Sequence, residues 1–327
     1  PAYLYLLLRN GVTLAVVTAA GYQYQVEKYE TRLRGLLDYF KEKQLPPDDC
    51  ARFYLFGGEC NYLLNMGSDY HLHPVREKGP GGWHTSTNYL SDSPGNWSEP
   101  NVKKLLDLCE SCLSQSLQDQ RIRGRVIRKS RAVGMIPLSS EERIPREALD
   151  ETVLRVQAEL QQKSQNKPPR NYRQTLTPKS LQQKQQYSFD LPYCAFNGGR
   201  DVWVDVGNKR VGVQILQSYL GVPAQETLHI GDQFLNTGND YAARAVCPCI
   251  WITSPEETTY ILKSILRLAG VSFQVSGIVD QSAYTKTLAM DASKDRTMTK
   301  SSSSTGFVTK MDVYTGEIVP VPMTNPK

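Results

Sequence analysis

Residues 227–240 read TLHIGDQFLNTGND, a short apolar run, Leu228 to Ile230, that stops at Gly231-Asp232 and gives way to small polar residues. The run has the apolar, partly β-branched character of a strand buried on both faces, and Gly231 lets the backbone turn sharply where it ends. Asp232 is then expected at a strand tip. In open parallel α/β sheets ligands bind outside the carboxyl ends of strands, so an acid there is placed to hold a hard cation such as Mg2+. The alternative is structural, with Asp232 and Asn236 closing the turn through side-chain hydrogen bonds.

Upstream of this stretch, Tyr193 to Phe196 reads as a strand ending at Asn197-Gly198-Gly199, and Asp201 to Val206 reads as a second strand. Lys209 then opens a helix carrying Val211, Ile215, Leu216, Tyr219 and Leu220, closed by Gly221. The helix macrodipole disfavours a cation at that end. The conflict is relieved if Lys209 points at a bound phosphate; an ordinary surface lysine is the alternative. Downstream come a helical turn around Ala242-Ala243, a strand from Cys249 to Ile252, and a capping box at Ser254-Pro255-Glu256-Glu257 whose helix ends at Gly270.

At the other end of the chain a short helix, Ala2 to Leu8, precedes an apolar strand, Val12 to Val17, which delivers Thr18 and then Ala19-Ala20-Gly21. Small residues after a buried strand leave room for a ligand, and the Thr18 hydroxyl can donate to a phosphate oxygen; otherwise it caps the helix that follows. That helix carries Tyr29, Leu33, Leu36, Leu37 and Phe40, and Arg52 to Phe56 supplies another strand before Gly57-Gly58. From about Cys60 the composition shifts, and a helix over Val102 to Leu117 opens what reads as an inserted domain. Its Cys109 and Cys112, with His71, His73 or His84, could form a zinc site, but thiols beside an apolar stripe are better explained as core residues. The stretch RIRGRVIRKSR, Arg121 to Arg131, is either a phosphate-contacting surface or a solvated basic edge. A helix over Arg146 to Gln162 runs into a Gln-, Lys- and Pro-rich tract, 161–186, expected to be flexible, and Gln281 to Lys327 is expected to be a disordered tail.

The chain has 327 residues, of which 40% are hydrophobic, enough for one or two domains with a sizeable core. A net charge of +5 suits an anionic substrate and falls short of a nucleic-acid-binding signature. Arg9 and Asn10 interrupt the opening apolar stretch, so no membrane span is expected, and no charged segment precedes it as a secretory signal requires. Seven cysteines without a spaced framework argue for free thiols in a reducing compartment, the cytoplasm.

A hydroxyl at Thr18, a lysine at Lys209 and an acid at Asp232, in that order, resemble the haloacid dehalogenase superfamily of phosphotransferases. There a Ser or Thr and a Lys bind phosphate and a later acid binds Mg2+. The resemblance tightens in VVTAAGY (16–22), FGGECNYL (56–63), RKSRAVGMIP (128–137), CAFNGGRDVWVDVGNKRVGV (194–213) and HIGDQFLNTGND (229–240), which together are similar to the IMP-specific 5′-nucleotidase family. The match covers most of residues 1 to 270. It implies a Rossmann-like α/β core with a parallel sheet flanked by helices, in two parts (1–56 and 192–274), an inserted α+β cap (57–191), and a tail (275–327) outside the match. It implies hydrolysis of inosine 5′-monophosphate (IMP), with Thr18, Asp201 and Lys209 contacting IMP and Asp232 holding Mg2+, in a homo-oligomer, a tetramer, activated by ATP. The superfamily's attacking Asp-x-Asp motif does not occur upstream of Thr18 in these residues, and the resemblance places it, with the segment linked to ATP activation, beyond Pro1. Cys60 stands where the family pattern leads one to expect serine. A phosphatase of the same fold acting on another nucleotide or a sugar phosphate, and an inactive nucleotide-binding chain, are the competing readings.

Overall fold

Three apolar residues of the opening helix decide how the chain starts to fold: α1 (Ala2–Arg9) buries Tyr3, Leu7 and Leu8 on one side and leaves Arg9 at its carboxyl end. In the computed structural model, which describes residues 1–85, 94–139, 141–165, 191–271, 307–311 and 318–322, Arg9 pairs with the buried Asp49 at 2.6 Å, and Arg52 pairs with the same carboxylate. That shared acid ties α1 to α3 (Pro47–Cys50), a single turn with proline at its first position.

Between them lie β1 (Leu14–Val17) and α2 (Val26–Glu42), whose helical repeat buries Tyr29, Leu37 and Phe40. These side chains meet Leu8, Phe53, Leu55 and Leu64 in one apolar cluster. β2 (Phe53–Gly57) runs parallel to β1, with Leu14 opposite Phe53 and Val17 opposite Phe56. The sheet continues antiparallel through β3 (Tyr62–Met66) and β4 (Leu72–Pro74), in the order β1-β2-β3-β4. Residues 62–74 therefore share the sheet of the first core segment, although the composition shift near Cys60 places them beyond the boundary expected at residue 57.

A second layer is built from α4 (Glu99–Asp119), β5 (Gly124–Arg128), β6 (Ala132–Pro137), α5 (Arg146–Gln165), β7 (Tyr193–Asn197) and β8 (Val202–Val206), with strand order β5-β6-β8-β7 and every pairing antiparallel. The two helices cover this sheet through Leu105, Leu106, Leu113, Val153 and Val156, packed on Val133, Met135, Val202 and Val204. β7 and β8 thus pair with the inserted segment, whereas their sequence position after residue 191 suggests the core. Hydrophobic alternation marks a strand but does not name its partner. Cys109 lies in this apolar cluster, and burial pushes its thiol up to about 12. His71 and His73 sit 3.2 Å from Glu30 and 3.0 Å from Asp69. Among the described residues no group of three or more His, Cys, Asp or Glu could hold a metal, and Cys109 is instead taken up in the apolar cluster. Of the tract 161–186, residues up to Gln165 complete α5 and the rest lies outside the described residues.

The chain then returns through α6 (Lys209–Leu220), β9 (His229–Gly231), β10 (Cys249–Trp251) and α7 (Pro255–Leu268). Gly221 closes α6 at φ +67° and Ser254 accepts from the Glu257 N–H at 3.2 Å, as their sequences predict, while Asn208 caps the start of α6 by accepting from the Val211 N–H at 3.0 Å. β9 and β10 pair parallel with each other. β9 departs from expectation, being only half-buried throughout, with Leu228 just before it 43% exposed. It has one hydrogen-bonded neighbour, and so does β1; among the described residues neither strand has a partner on its second edge. No described helix is long and apolar enough to cross a membrane.

Residues 273–327 form a separate unit. Within it β11 (Phe307–Met311) and β12 (Ile318–Pro322) pair antiparallel, which departs from the disorder expected there; the remainder of the expected tail lies outside the described residues.

α6 approaches the turn after β2 so closely that a Cβ at Gly212 would overlap Cys60 Sγ. Gly212→Ala is expected to lower stability by about 1–3 kcal/mol through overpacking, read from urea unfolding. Adding Cys60→Ala should recover part of the loss, and a larger loss in the double variant would put the strain elsewhere.

Candidate active site

A cavity of about 800 Å³ opens where the carboxyl ends of β1 and β9 meet the β7–β8 hairpin, and Thr18, Asp201, Lys209 and Asp232 all line it. These are the four side chains singled out from the sequence, drawn from three separate parts of the chain.

Thr18 follows β1 directly, its N–H donating to the Phe56 carbonyl at 3.0 Å. Its Oγ1 accepts from the Ala20 N–H at 3.1 Å, which leaves the hydroxyl proton free to donate into the cavity. It does not cap α2, whose first flanking residue is Gln25. Asp201 sits at the tip of the β7–β8 hairpin, where Gly198 N–H donates to the Asp201 carbonyl at 2.8 Å and a side chain at 198 would strike the Asp201 carboxylate. The hairpin is fastened to the acidic loop by a bond from the Asn197 N–H to the Thr237 carbonyl at 2.8 Å.

Lys209, only 7% exposed, is the first residue of α6, and its Nζ lies 2.6 Å from Asp240 Oδ1. The unfavourable macrodipole at that position is answered by a protein carboxylate. Burial works to deprotonate the lysine, but the charges of Glu59 and Asp240 outweigh it and hold the ammonium above its ordinary range. Asp240 is fully buried and saturated: besides Lys209, its oxygens meet His229 Nε2 at 2.7 Å and the Gln233 N–H at 2.9 Å. Burial alone would raise that carboxyl; the His229 bond and the Lys209 charge overcome it and hold it well below the usual range.

Gln233 and Asp240 also close the turn, the Asp240 N–H donating to the Gln233 carbonyl at 3.0 Å. Asp232 and Asn236 are therefore not the residues that hold it. The Asp232 side chain is exposed to the cavity and carries no hydrogen bond or ion pair to another described residue, while its carbonyl accepts from Trp251 Nε1 at 3.0 Å. One acid of the loop is consumed by protein contacts and the other is left free for a ligand.

Several residues of the site were not singled out from sequence. Asp240 ends the same quoted stretch, and its position in an Asn-Asp pair was the available signal. Glu59 is fully buried, and burial pushes its carboxyl up to about 7 against the Lys209 charge and a 2.7 Å bond from Asn239 Nδ2. Asp205 lies under the cavity floor on β8; burial, reinforced by the Glu59 charge, lifts its carboxyl far above the ordinary range despite Lys129. The basic stretch divides in two. Arg128 pairs with Asp107 at 2.8 Å and Glu110 at 2.7 Å, and Arg131 with Glu99 at 2.6 Å. Lys129 lies on the Trp203 ring, 4.1 Å from its centroid, and lines the cavity together with Arg131.

Parallel strands whose tips carry a hydroxyl and an acid, a lysine at the start of the helix α6, and an overlying α+β layer define a haloacid dehalogenase-like α/β protein. The sequence model of the IMP-specific 5′-nucleotidase family matches residues 2–262. An IMP-specific 5′-nucleotidase 1 of Neurospora crassa is 37% identical over 81% of this chain and 57% of its own length, and one of Plasmodium falciparum is 33% identical over 83% and 56%. Solved structures of the Plasmodium falciparum IMP-nucleotidase superpose with TM-score 0.66 for an N-terminally truncated, IMP-bound form (33% identity, 81% of this chain, 62% of that one). The ATP-bound form gives 0.64 (34% identity, 83% and 56%). The chain belongs to the IMP-specific 5′-nucleotidase family. It spans a little under three-fifths of the length of these curated relatives, 57% and 56%.

Asp240→Asn leaves Lys209 buried beside a neutral partner and is expected to destabilise the fold by about 3–5 kcal/mol at neutral pH. Because the folded carboxyl titrates below its unfolded value, its contribution is complete above the ordinary carboxylate range and is lost as pH falls through the lowered folded value. Urea unfolding of both proteins should show the difference narrowing only below about pH 4.

Proposed function

We propose that the complete protein hydrolyses IMP to inosine and phosphate with the help of Mg2+. The observation that carries this reading is the convergence of Thr18, Lys209, Asp201 and an unpaired Asp232 on one cavity of about 800 Å³, a volume suited to a nucleotide, in a chain of this family.

The donor set fits the ion: Mg2+ is commonly held by one or two carboxylates, with water and substrate phosphate completing its shell, and Asp232 is the free acid. When bound, the ion supplies a positive charge that polarises the phosphoryl group. Lys209, held rigid by Asp240, presents a fixed ammonium to the charge that develops on the phosphoryl oxygens. The Thr18 hydroxyl donates to one of those oxygens and orients it. Asp201, on the hairpin across the cavity, contacts IMP, and the overlying layer limits the access of water.

The attacking carboxylate comes from outside these 327 residues, on a strand seated between the free edges of β1 and β9, whose tips already flank the cavity. It would attack phosphorus as the bond to the 5′-oxygen of inosine breaks, that oxygen leaving as a protonated hydroxyl, and water would then cleave the aspartyl-phosphate to phosphate and the free carboxylate. ATP acts as an activator, in line with the ATP-bound Plasmodium falciparum structure. The active species is a homotetramer. Seven free thiols suit a reducing, cytoplasmic setting.

Phosphate release from IMP, AMP and GMP by the full-length native protein, with and without Mg2+, tests the reading. Release confined to IMP supports it; equal release from other nucleotides or sugar phosphates would replace the substrate, and none from any would favour an inactive binding protein. In the same assay Asp232→Asn should abolish Mg2+-dependent turnover while leaving the melting temperature near wild type. Lys209→Ala should lose transition-state stabilisation of about 2.7–4 kcal/mol, roughly 10²–10³ in kcat.

A further inference from the structure

Beneath the cavity lies a turn that the chemistry above leaves unused. Its three residues all adopt the left-handed backbone, Gly58 at φ +60°, Glu59 at +50° and Cys60 at +73°. Two successive non-glycine residues in that region are strained and persist only where the surroundings over-determine them. Here they do, from three directions. The Glu59 N–H donates to the Thr18 carbonyl at 3.2 Å and the Gly58 N–H to the Ala20 carbonyl at 3.0 Å. Asn61 Nδ2 donates at 2.6 Å to both the Gly58 and the Val206 carbonyls. Gly207, two residues before Lys209, packs on the Glu59 carbonyl so tightly that a Cβ there would collide with it.

The side chain completes the junction. Glu59 is fully buried, its Oε1 accepts from Asn239 Nδ2 at 2.7 Å, and its Oε2 has no hydrogen-bond partner among the described residues. Asn239 itself is 8% exposed and lines the cavity beside Asp232. An asparagine amide has one oxygen and one NH2 group, so engaging Nδ2 beneath the floor leaves Oδ1 as the atom presented to the cavity.

We propose that Glu59 is a positioning residue that, through its hydrogen bond to Asn239, locks the loop carrying Asp232 and Asp240 in register with the Thr18 turn and the start of α6. It rests on the phosphatase reading of the cavity. The backbone of Glu59 holds the phosphate-facing turn and its carboxylate holds the acidic loop, so one residue sets the distance between the two halves of the site. What the loop requires of Glu59 is an acceptor at Oε1, which glutamine also supplies; a purely electrostatic role toward Lys209 would require the charge.

The test uses the full-length protein with Glu59→Ala, Glu59→Gln, Asn239→Ala and the Glu59→Ala/Asn239→Ala double variant, reading kcat and KM for IMP and, separately, Mn2+ affinity by electron paramagnetic resonance. Glu59→Ala is expected to lower kcat by about 10²-fold with KM little changed. Mn2+ affinity should fall by about tenfold or more, as for other residues that orient a metal site. Glu59→Gln should recover most of both, Asn239→Ala should reproduce Glu59→Ala, and the double variant should be no worse than either single one. Glu59→Gln as impaired as Glu59→Ala, or Asn239→Ala with wild-type kcat and Mn2+ affinity, overturns the proposal. Should Glu59→Ala not fold, the Glu59→Gln and Asn239→Ala arms decide. A wild-type protein that binds Mn2+ yet releases no phosphate from IMP would refute the substrate reading, while the Mn2+ titrations would still decide the role of Glu59.

Discussion

The Lys209 ammonium and the Asp240 carboxylate, 2.6 Å apart and almost wholly buried, join the first turn of α6 to the loop that follows β9. Taking two charges out of water is unfavourable unless their remaining hydrogen-bonding capacity is met. It is met here: His229 and the Gln233 N–H complete the shell of Asp240. Everything in the acidic loop follows from that arrangement, because satisfying Asp240 internally closes the turn and leaves Asp232 as the acid without a side-chain partner among the described residues. The same pair explains a lysine at a helix start, where the macrodipole alone would exclude one. Removal of either partner would leave a buried charge unanswered, which makes the pair a constraint on the fold as well as on the site.

The layout around this pair assigns different work to the two layers. The strands β1 and β9 bring their tips to the cavity, and the inserted layer reaches it through the β7–β8 hairpin, clamped to the acidic loop at Thr237. Parallel strands are normally covered on both faces. Among the described residues β1 and β9 each lack a partner on one edge and are only partly buried, and α6, the turn at residues 58–60 and the Asn239 bond link the two halves of the core.

Much of this was legible in the residues. Val211, Ile215 and Leu216 at helical spacing and Gly221 after them mark α6, because periodicity and left-handed glycines are local and act within a few positions. Thr18 after an apolar run and Asp232 after another were recognisable for the same reason. The residues that were missed are those whose meaning depends on distant partners. Asp240 looks like a loop acid until Lys209, 31 residues away, is seen to reach it, and Glu59 looks like a surface glutamate until Asn239, 180 residues away, is found on it.

The sequence by itself thus marked the helices α2, α4, α5, α6 and α7, the strands β1, β2 and β7 to β10, and three candidate groups at two strand tips and one helix start, since short-range sterics and hydrogen bonding suffice for each. Only the tertiary structure decided that β7 and β8 pair with the inserted layer, and which of two acids in one loop is taken up by protein partners. Those outcomes turn on burial and on pairing between residues far apart in the chain. No local pattern encodes the desolvation that separates a saturated carboxylate from an available one.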